Sequence, residues 1–356
     1  MAEKRPARVH GIVLAGAYPT CGSPLDDLAP RPLLPVAQQP LITYSLRWMK
    51  AGGVPSATIC ANSAARAIRG ELAAGDFGMR LDYLEDWTPR GAAGCLRDAG
   101  ERADADTFVV ADGTAVPVVD LAELLAAHRA CEAAATIVVG VDGGGRWRPT
   151  GFYVFDRWVC QFVPEEGFYD IKEKLIPRLH KAGEQVSTYT ASEMAPRALN
   201  ADGYLALNHW AIERVATRPG FADGFQADGE ALVHESASVD PSARLLGPVL
   251  VGARVSIGAG ATLVGPVSIG QGTTVGDGAV VSRSVVWSGC TVGEGAFVDR
   301  SMLADGTHVG TGTLVVSAVR ANVRDEPRTR MTMRTAGRAL WAPFAAALRP
   351  APNSQS

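Results

Sequence analysis

The chain has 356 residues, 47% hydrophobic and 20% charged, with a formal net charge of −3 and a pI near 6.1. That is length for two domains and apolar mass for a sizeable core, and it excludes wholesale disorder. A slightly acidic chain is not built to coat nucleic acid by bulk charge, no apolar run reaches the ~18–20 residues that span a bilayer, and the polar, basic first nine residues do not read as a signal peptide.

Residues 9–15 are an apolar run that predicts a strand. Residues 41–49 predict a helix, with Ile42, Leu46 and Met49 at i, i+4 and i+7. Further strands are expected at 57–61, 81–84, 108–111 and 136–141, and helices at 64–73, 121–133 and 171–182. Near-continuous apolar strands alternating with helices predict a Rossmann-like α/β domain over residues 1–215, its mostly parallel sheet covered on both faces. In such sheets ligands bind beyond the carboxyl ends of the strands, so the turn after the first strand is the first place to look for chemistry. Residues 216–231, rich in Gly, Asp and Ala, predict a linker.

The texture then changes. Every sixth residue from Val233 to Val281 is a branched aliphatic; after a one-residue slip the series resumes at Val286, and after a second slip it runs from Leu303 to Val315. Gly follows several of these positions. Hexapeptide repeats of this kind build a parallel β-helix whose aliphatics fill a triangular core, here over residues 232–320 with ~5 coils. Coil ends leave unpaired edges that need a cap or another subunit. Residues 321–356 carry Arg324, Arg328, Arg330, Arg334 and Arg338, then Trp341 and Phe344. They predict a basic amphipathic tail that caps the β-helix or crosses to a neighbour, with a disordered end. Six scattered cysteines (Cys21, Cys60, Cys95, Cys131, Cys160 and Cys290), none in a C-x-x-C pair, fit a reduced cytoplasmic protein.

Three stretches carry a resemblance. GIVLAGAYPTCGSPLDDLAPRPLLPVAQQPLITY (residues 11–44) is similar to L-A-G-G-x-G-T-R-L-x-P-L-T followed by P-K-P-L-L-P-V. PRGAAGCL (89–96) is similar to P-x-G-T-A-G-A-L, and FVVADGTAVPVVDLAELLAAH (108–128) to F-x-V-x-N-G-D followed by D-L-x-x-L-L. Order and spacing agree with the wording, and residues 9–321 resemble the sugar-1-phosphate nucleotidyltransferases (NDP-sugar pyrophosphorylases), many of which carry a C-terminal left-handed β-helix.

That resemblance implies attack of a sugar phosphate on the α-phosphorus of a nucleoside triphosphate. The protein's part is to hold, neutralise and align. The family does this with a Gly-rich loop bearing an Arg, a nearby Lys, two Asp that hold Mg²⁺, and a Glu-Lys-Pro segment. This sequence departs at nearly every one of these. The loop Arg falls on Cys21, the Lys on Arg31, the first metal Asp on Thr114 and the second on Ala198, with Arg197 one residue away. The Glu-Lys-Pro segment is missing. Asp112, two residues before Thr114, is a rescue candidate for the metal, or else closes an Asp-Gly turn. Ala15, Gly16, Gly91 and Gly94 match positions whose backbone contacts nucleotide in the family, and with Arg31 they are the nucleotide-binding candidates. The expectation is a catalytically impaired member acting as a regulatory, scaffolding or sugar-nucleotide-sensing subunit. It would bind a nucleotide or sugar nucleotide, and would form a homo-oligomer or a hetero-oligomer with an active relative, with no nucleic acid and no transmembrane segment. The alternative is an active enzyme with a rearranged site and bound Mg²⁺. A hexapeptide-repeat acyltransferase using His234 or His308 is a weaker third, since no Lys- and Asn-rich constellation surrounds either.

Overall fold

Strand–helix units open the chain, and their apolar runs become the central strands of a seven-stranded sheet. The computed structural model describes residues 7–16, 24–73, 75–85, 88–215 and 224–321. Cys21, residues 216–223 of the expected linker and the tail from 322 onward lie outside the described residues. The strands are β1 (Val9–Leu14), the short pair β2 (Pro35–Val36) and β3 (Gln39–Pro40), β4 (Ser56–Ala61), β5 (Arg80–Glu85), β6 (Thr107–Asp112), β7 (Ala135–Val141), β8 (Trp147–Asp156) and β9 (Val186–Thr190). The helices are α1 (Ile42–Ala51), α2 (Ala65–Leu72), α3 (Gly91–Arg102), α4 (Leu121–Ala130), α5 (Ile176–Lys181) and α6 (Ala201–Val215).

The large sheet runs β5-β4-β1-β6-β8-β7-β9 and is parallel except for β8, which is antiparallel to both its neighbours. Alternate side chains feed two cores. Val13, Val109 and Ala111 pack with α1, α2 and α4; Ile12, Phe108 and Val110 pack with α3 and Leu179 of α5. Two helices, α3 and α6, two strands of the large sheet, β8 and β9, and the short pair β2–β3 were not anticipated as such. The small residues of α3 (Gly91, Ala92, Ala93, Gly94) carry little apolar periodicity, because the helix packs close to the sheet instead of through bulk. No helix among the described residues is long and apolar enough to cross a membrane.

The C-terminal strands run parallel in a repeating arrangement. The fifteen aliphatics stack in three columns: Val233, Val251, Ile269, Val286, Leu303; Val239, Ile257, Val275, Val292, Val309; and Leu245, Leu263, Val281, Val298, Val315. Most are shut off from solvent, and together they are the core of a parallel β-helix of five coils. The phase slips have a local cause. One corner of the early coils holds Gly247-Pro248 and Gly265-Pro266; in later coils the turn is one residue shorter and is made by Arg283, Arg300 and Ser317 at φ 44, 44 and 48°. A left-handed residue reverses the chain in less length, at a cost of about 1–2 kcal/mol each for a side chain other than glycine. A buried ladder offsets that cost: Ser284 and Ser301 hydroxyls donate to the carbonyls of Ser282 and Asp299, and the Ser301 amide donates to Ser284 Oγ.

Asp299 ties the same corner. Its Oδ1 accepts from Ser282 Oγ at 2.6 Å, and its carboxylate takes a two-pronged grip from Arg283 and a further bond from Arg300 Nε at 3.0 Å. One difference concerns the linker. Residues Phe225–Asp228 form a strand that pairs antiparallel with Ala231–His234, with Phe225 edge-on to the His234 ring. This strand covers the open edge of the first coil.

Burial raises the Asp299 carboxyl, and the bonds from Ser282, Arg283 and Arg300 outweigh it, so the group lies below the ordinary carboxylate range. Its stabilising contribution is therefore present above the unfolded value near ~4 and disappears as pH falls through the lower folded value. Asp299→Asn is expected to cost about 1–3 kcal/mol at neutral pH. The difference in melting temperature from wild type should shrink on acidification, read by thermal denaturation between about pH 6 and about pH 3.

Candidate functional site

The chain runs from β1 outward to β4 and β5, then returns to place β6 on the other side of β1. The crevice at that reversal, beyond the carboxyl ends of the strands, is where open α/β sheets bind ligands. A cleft of about 300 Å³ lies there, lined among others by Leu14, Gly16, Asn62, Gly91, Asp112 and Lys172.

One wall is the start of α3. Gly91 sits at φ 75°, and a Cβ there would fall 2.6 Å from the Tyr169 carbonyl oxygen, so only glycine is accommodated. That carbonyl accepts from the Ala93 amide at 3.0 Å and the Gly94 amide at 3.4 Å, while the Tyr169 amide donates to the Arg90 carbonyl at 2.7 Å. Next in sequence, Asp170 Oδ1 accepts from the amides of Lys172 and Glu173 and starts the π-turn Ile171–Leu175 that leads into α5. The segment thus delivers Lys172 to the rim, and no hydrogen bond or ion pair ties its ammonium among the described residues.

The five nucleotide-binding candidates divide. Gly16 and Gly91 line the cleft. Ala15 is buried behind it, its amide donating to the Cys60 carbonyl at 2.8 Å. Gly94 is also set back, its Cα face turned to the Arg90 side chain. Arg31 is not at the cleft. Its guanidinium is buried, paired with Asp26 at 2.7 Å and donating to the Leu199 carbonyl at 3.2 Å. It retains the charge of the family's Lys but directs it to Asp26 and the Leu199 carbonyl. Asn62, Phe168, Asp170 and Lys172 were missed. Only Asp170, an acidic cap before a helical run, left a readable signal.

The metal positions are the sharpest departure. Asp112 ends β6, and both its oxygens are taken: Oδ1 accepts from the Thr114 amide at 2.9 Å and Oγ1 at 2.7 Å, and Oδ2 accepts from Arg197 Nη2 at 2.5 Å. Thr114 is therefore a support for Asp112, and Ala198 is buried in an apolar cluster. Burial raises the Asp112 carboxyl, and the Arg197 charge with the Thr114 bonds more than reverses this, leaving it below the ordinary range. Mg²⁺ demands several oxygens in octahedral array. One carboxylate already bound to a guanidinium does not provide them, and no group of three or more His, Cys, Asp or Glu could hold a metal among the described residues. Asp112, the rescue candidate, is here an ion-pair partner of Arg197. His308 lies on an outward strand position and is exposed, and His234 Nδ1 is engaged by Ser236.

Arg31→Ala would strand Asp26 with little solvent and free the Leu199 carbonyl. It is expected to destabilise the fold by about 3 kcal/mol in urea unfolding, the cost of breaking a buried pair from one side.

A family model described as the GMPPB C-terminal domain matches residues 245–328. The chain is 26% identical over 273 residues to a mannose-1-phosphate guanylyltransferase of Mycobacterium tuberculosis, covering 69% of this chain and 75% of that protein. It is 25% identical over 280 residues to a glucose-1-phosphate thymidylyltransferase of Streptomyces griseus, covering 69% and 78%. A UTP–glucose-1-phosphate uridylyltransferase of Synechocystis is 25% identical over 217 residues, covering 49% and 56%. With a mostly parallel sheet, a cleft at its switch point and a parallel β-helix after it, the chain is similar to the sugar-1-phosphate nucleotidyltransferases in both its halves.

Proposed function

We propose that the cleft binds a nucleotide or sugar nucleotide, that nucleotidyl transfer is impaired, and that the chain serves as a regulatory or scaffolding subunit in the cytoplasm. The observation that carries this reading is the state of Asp112: its oxygens are bound by Thr114 and Arg197, and the second metal position is the apolar Ala198. Phosphoryl-transfer catalysis is mainly positioning and charge stabilisation, and loss of a single electrostatic stabiliser costs on the order of 10²–10³ in rate. Here both carboxylate positions and the Glu-Lys-Pro segment depart together. Binding does not depend on those groups. Gly16 and Gly91 keep backbone open to a ligand at the switch point, and Lys172 adds a positive charge at the rim.

The second reading is an active enzyme with a rearranged site. The names of the relatives favour it, since those that match 69% of the chain are sugar-1-phosphate transferases. Pyrophosphate release with Mg²⁺, across nucleoside triphosphate and sugar 1-phosphate pairs, separates the two. The expected result is turnover at least ~10²-fold below the Mycobacterium tuberculosis relative assayed alongside. Turnover within tenfold of that relative, abolished by Asp112→Asn, would establish the second reading instead.

A subunit role requires a partner. Light scattering on the full chain is expected to give more than one copy, or a complex when an active relative is added; a strict monomer that ignores the relative would refute the scaffolding part.

A further inference from the structure

We propose a second ligand site, for an aliphatic polyamine, in the cavity between the β2–β3 segment and the β-helix. It is separate from the cleft beside Asp112 and does not depend on the reading of that cleft.

The cavity measures about 500 Å³ and lies where the outward face of the coils meets the N-terminal domain. A row of outward residues on that face runs Leu232, Leu250, Ser268, Val285 and Met302, each paired with the next by strand register. Four of the five are large and apolar, as a face packed against another domain requires. Ser268 is the exception. It is 2% exposed, it lines the cavity, and its hydroxyl has no hydrogen-bond partner among the described residues. Burying an unpaired hydroxyl is costly, so one that is held at a cavity wall marks a contact point for a polar ligand atom.

The lining is rich in acceptors. Gln38 turns its amide nitrogen onto the Leu250 and Ile269 carbonyls at 3.2 and 2.9 Å, which leaves Oε1 as its acceptor. Two exposed carboxylates stand at the mouth, one from each domain: Glu71 of α2 and Asp305 at a corner of the β-helix. Neither has an ion-pair partner among the described residues. Asp305 Oδ1 accepts from the Ser288 amide at 2.9 Å, so Oδ2 is the oxygen left for a ligand. Partial burial raises this carboxyl, and the Ser288 bond only partly offsets the effect, which favours a cation alongside. No Lys or Arg lines the cavity among the described residues, and the His234 ring is engaged through Nδ1 by Ser236.

Such a lining disfavours a phosphate and suits an ammonium, which carries three donors and no acceptor. Two carboxylates call for two ammonium groups, with the methylenes between them lying on Leu33, Val285 and Trp287. A bare divalent ion fits less well, since no group of three or more His, Cys, Asp or Glu could hold a metal among the described residues.

Calorimetry on the full chain with putrescine and spermidine tests this, against 1,4-butanediol, inorganic phosphate and Ca²⁺. At least one amine is expected to saturate a single site in about 0.15 M salt, where loose surface attraction is screened, while the diol does not bind. Asp305→Asn keeps the Oδ1 that caps Ser288 and should weaken the amine about tenfold, the loss of one charge-assisted contact. Glu71→Gln should act likewise, and Ser268→Ala should cost about threefold. Hydrogen exchange on the wild-type chain locates the site whatever the variants' folding: the amine should protect residues 36–39 and 285–288 and leave residues 89–96, at the other cleft, unchanged. No saturable amine binding, equal binding of the diol, displacement of the amine by phosphate or Ca²⁺, unchanged affinity in both carboxylate variants, or protection at 89–96 instead overturns the proposal.

Discussion

A short relay of hydrogen bonds joins the two architectures. Trp287 Nε1, on the β-helix, donates to the Tyr204 hydroxyl at 2.8 Å, and Tyr204, fully buried at the start of α6, donates to the Pro35 carbonyl at 2.5 Å. Burial lifts the Tyr204 phenol well above its ordinary value, so it stays a neutral donor. Around this relay Leu34, Leu41, Leu207, Leu250, Val285 and Met302 share one buried cluster, which makes the β2–β3 segment, α6 and the β-helix continuous in one core. Removing the relay would leave buried polar atoms without partners, which costs more than the bonds themselves contribute.

Several unusual local features depend on that joint. The two-residue loop Ala37-Gln38 between β2 and β3 has both φ angles positive, at 44 and 65°, where such a turn favours Asn-Gly. Neither residue is suited to it alone. The Ala37 amide donates to the buried Asn208 side chain, and Gln38 Nε2 reaches the Leu250 and Ile269 carbonyls of the β-helix. The long-range bonds thus hold a turn that local preference disfavours.

The same joint sets the site. Tyr204 fixes where α6 begins, and the residues just before it, capped by Asn200 and clamped by Arg31, carry Arg197 to Asp112. Residues that depart from the family's catalytic pattern are therefore not scattered losses. Arg31, Thr114, Arg197 and Gly151 form a connected set in which each supports the geometry of another. A site that had merely decayed would leave unpaired buried charges, which folded proteins rarely tolerate.

Periodicity made the β-helix legible from sequence alone. Fifteen aliphatics in hexads can be buried together only by coiling, and the register pairs every one of them with its partners in the next coil. The central strands were equally plain, since a strand covered on both faces must be apolar throughout. The motifs also located the switch point, with Gly16 and Gly91 at the cleft. What Arg31, Arg197 and Asp112 do was not readable there. Arg197 meets Asp112 across 85 positions and Arg31 meets the Leu199 carbonyl across 168, and contacts over such separations follow no local pattern. The motif positions could say only that Thr114 and Ala198 stand where the resembled family carries carboxylates. Only the tertiary structure decided that a guanidinium had come to the one that remained, because pairing depends on where the backbone brings two charges, not on which charges the chain contains.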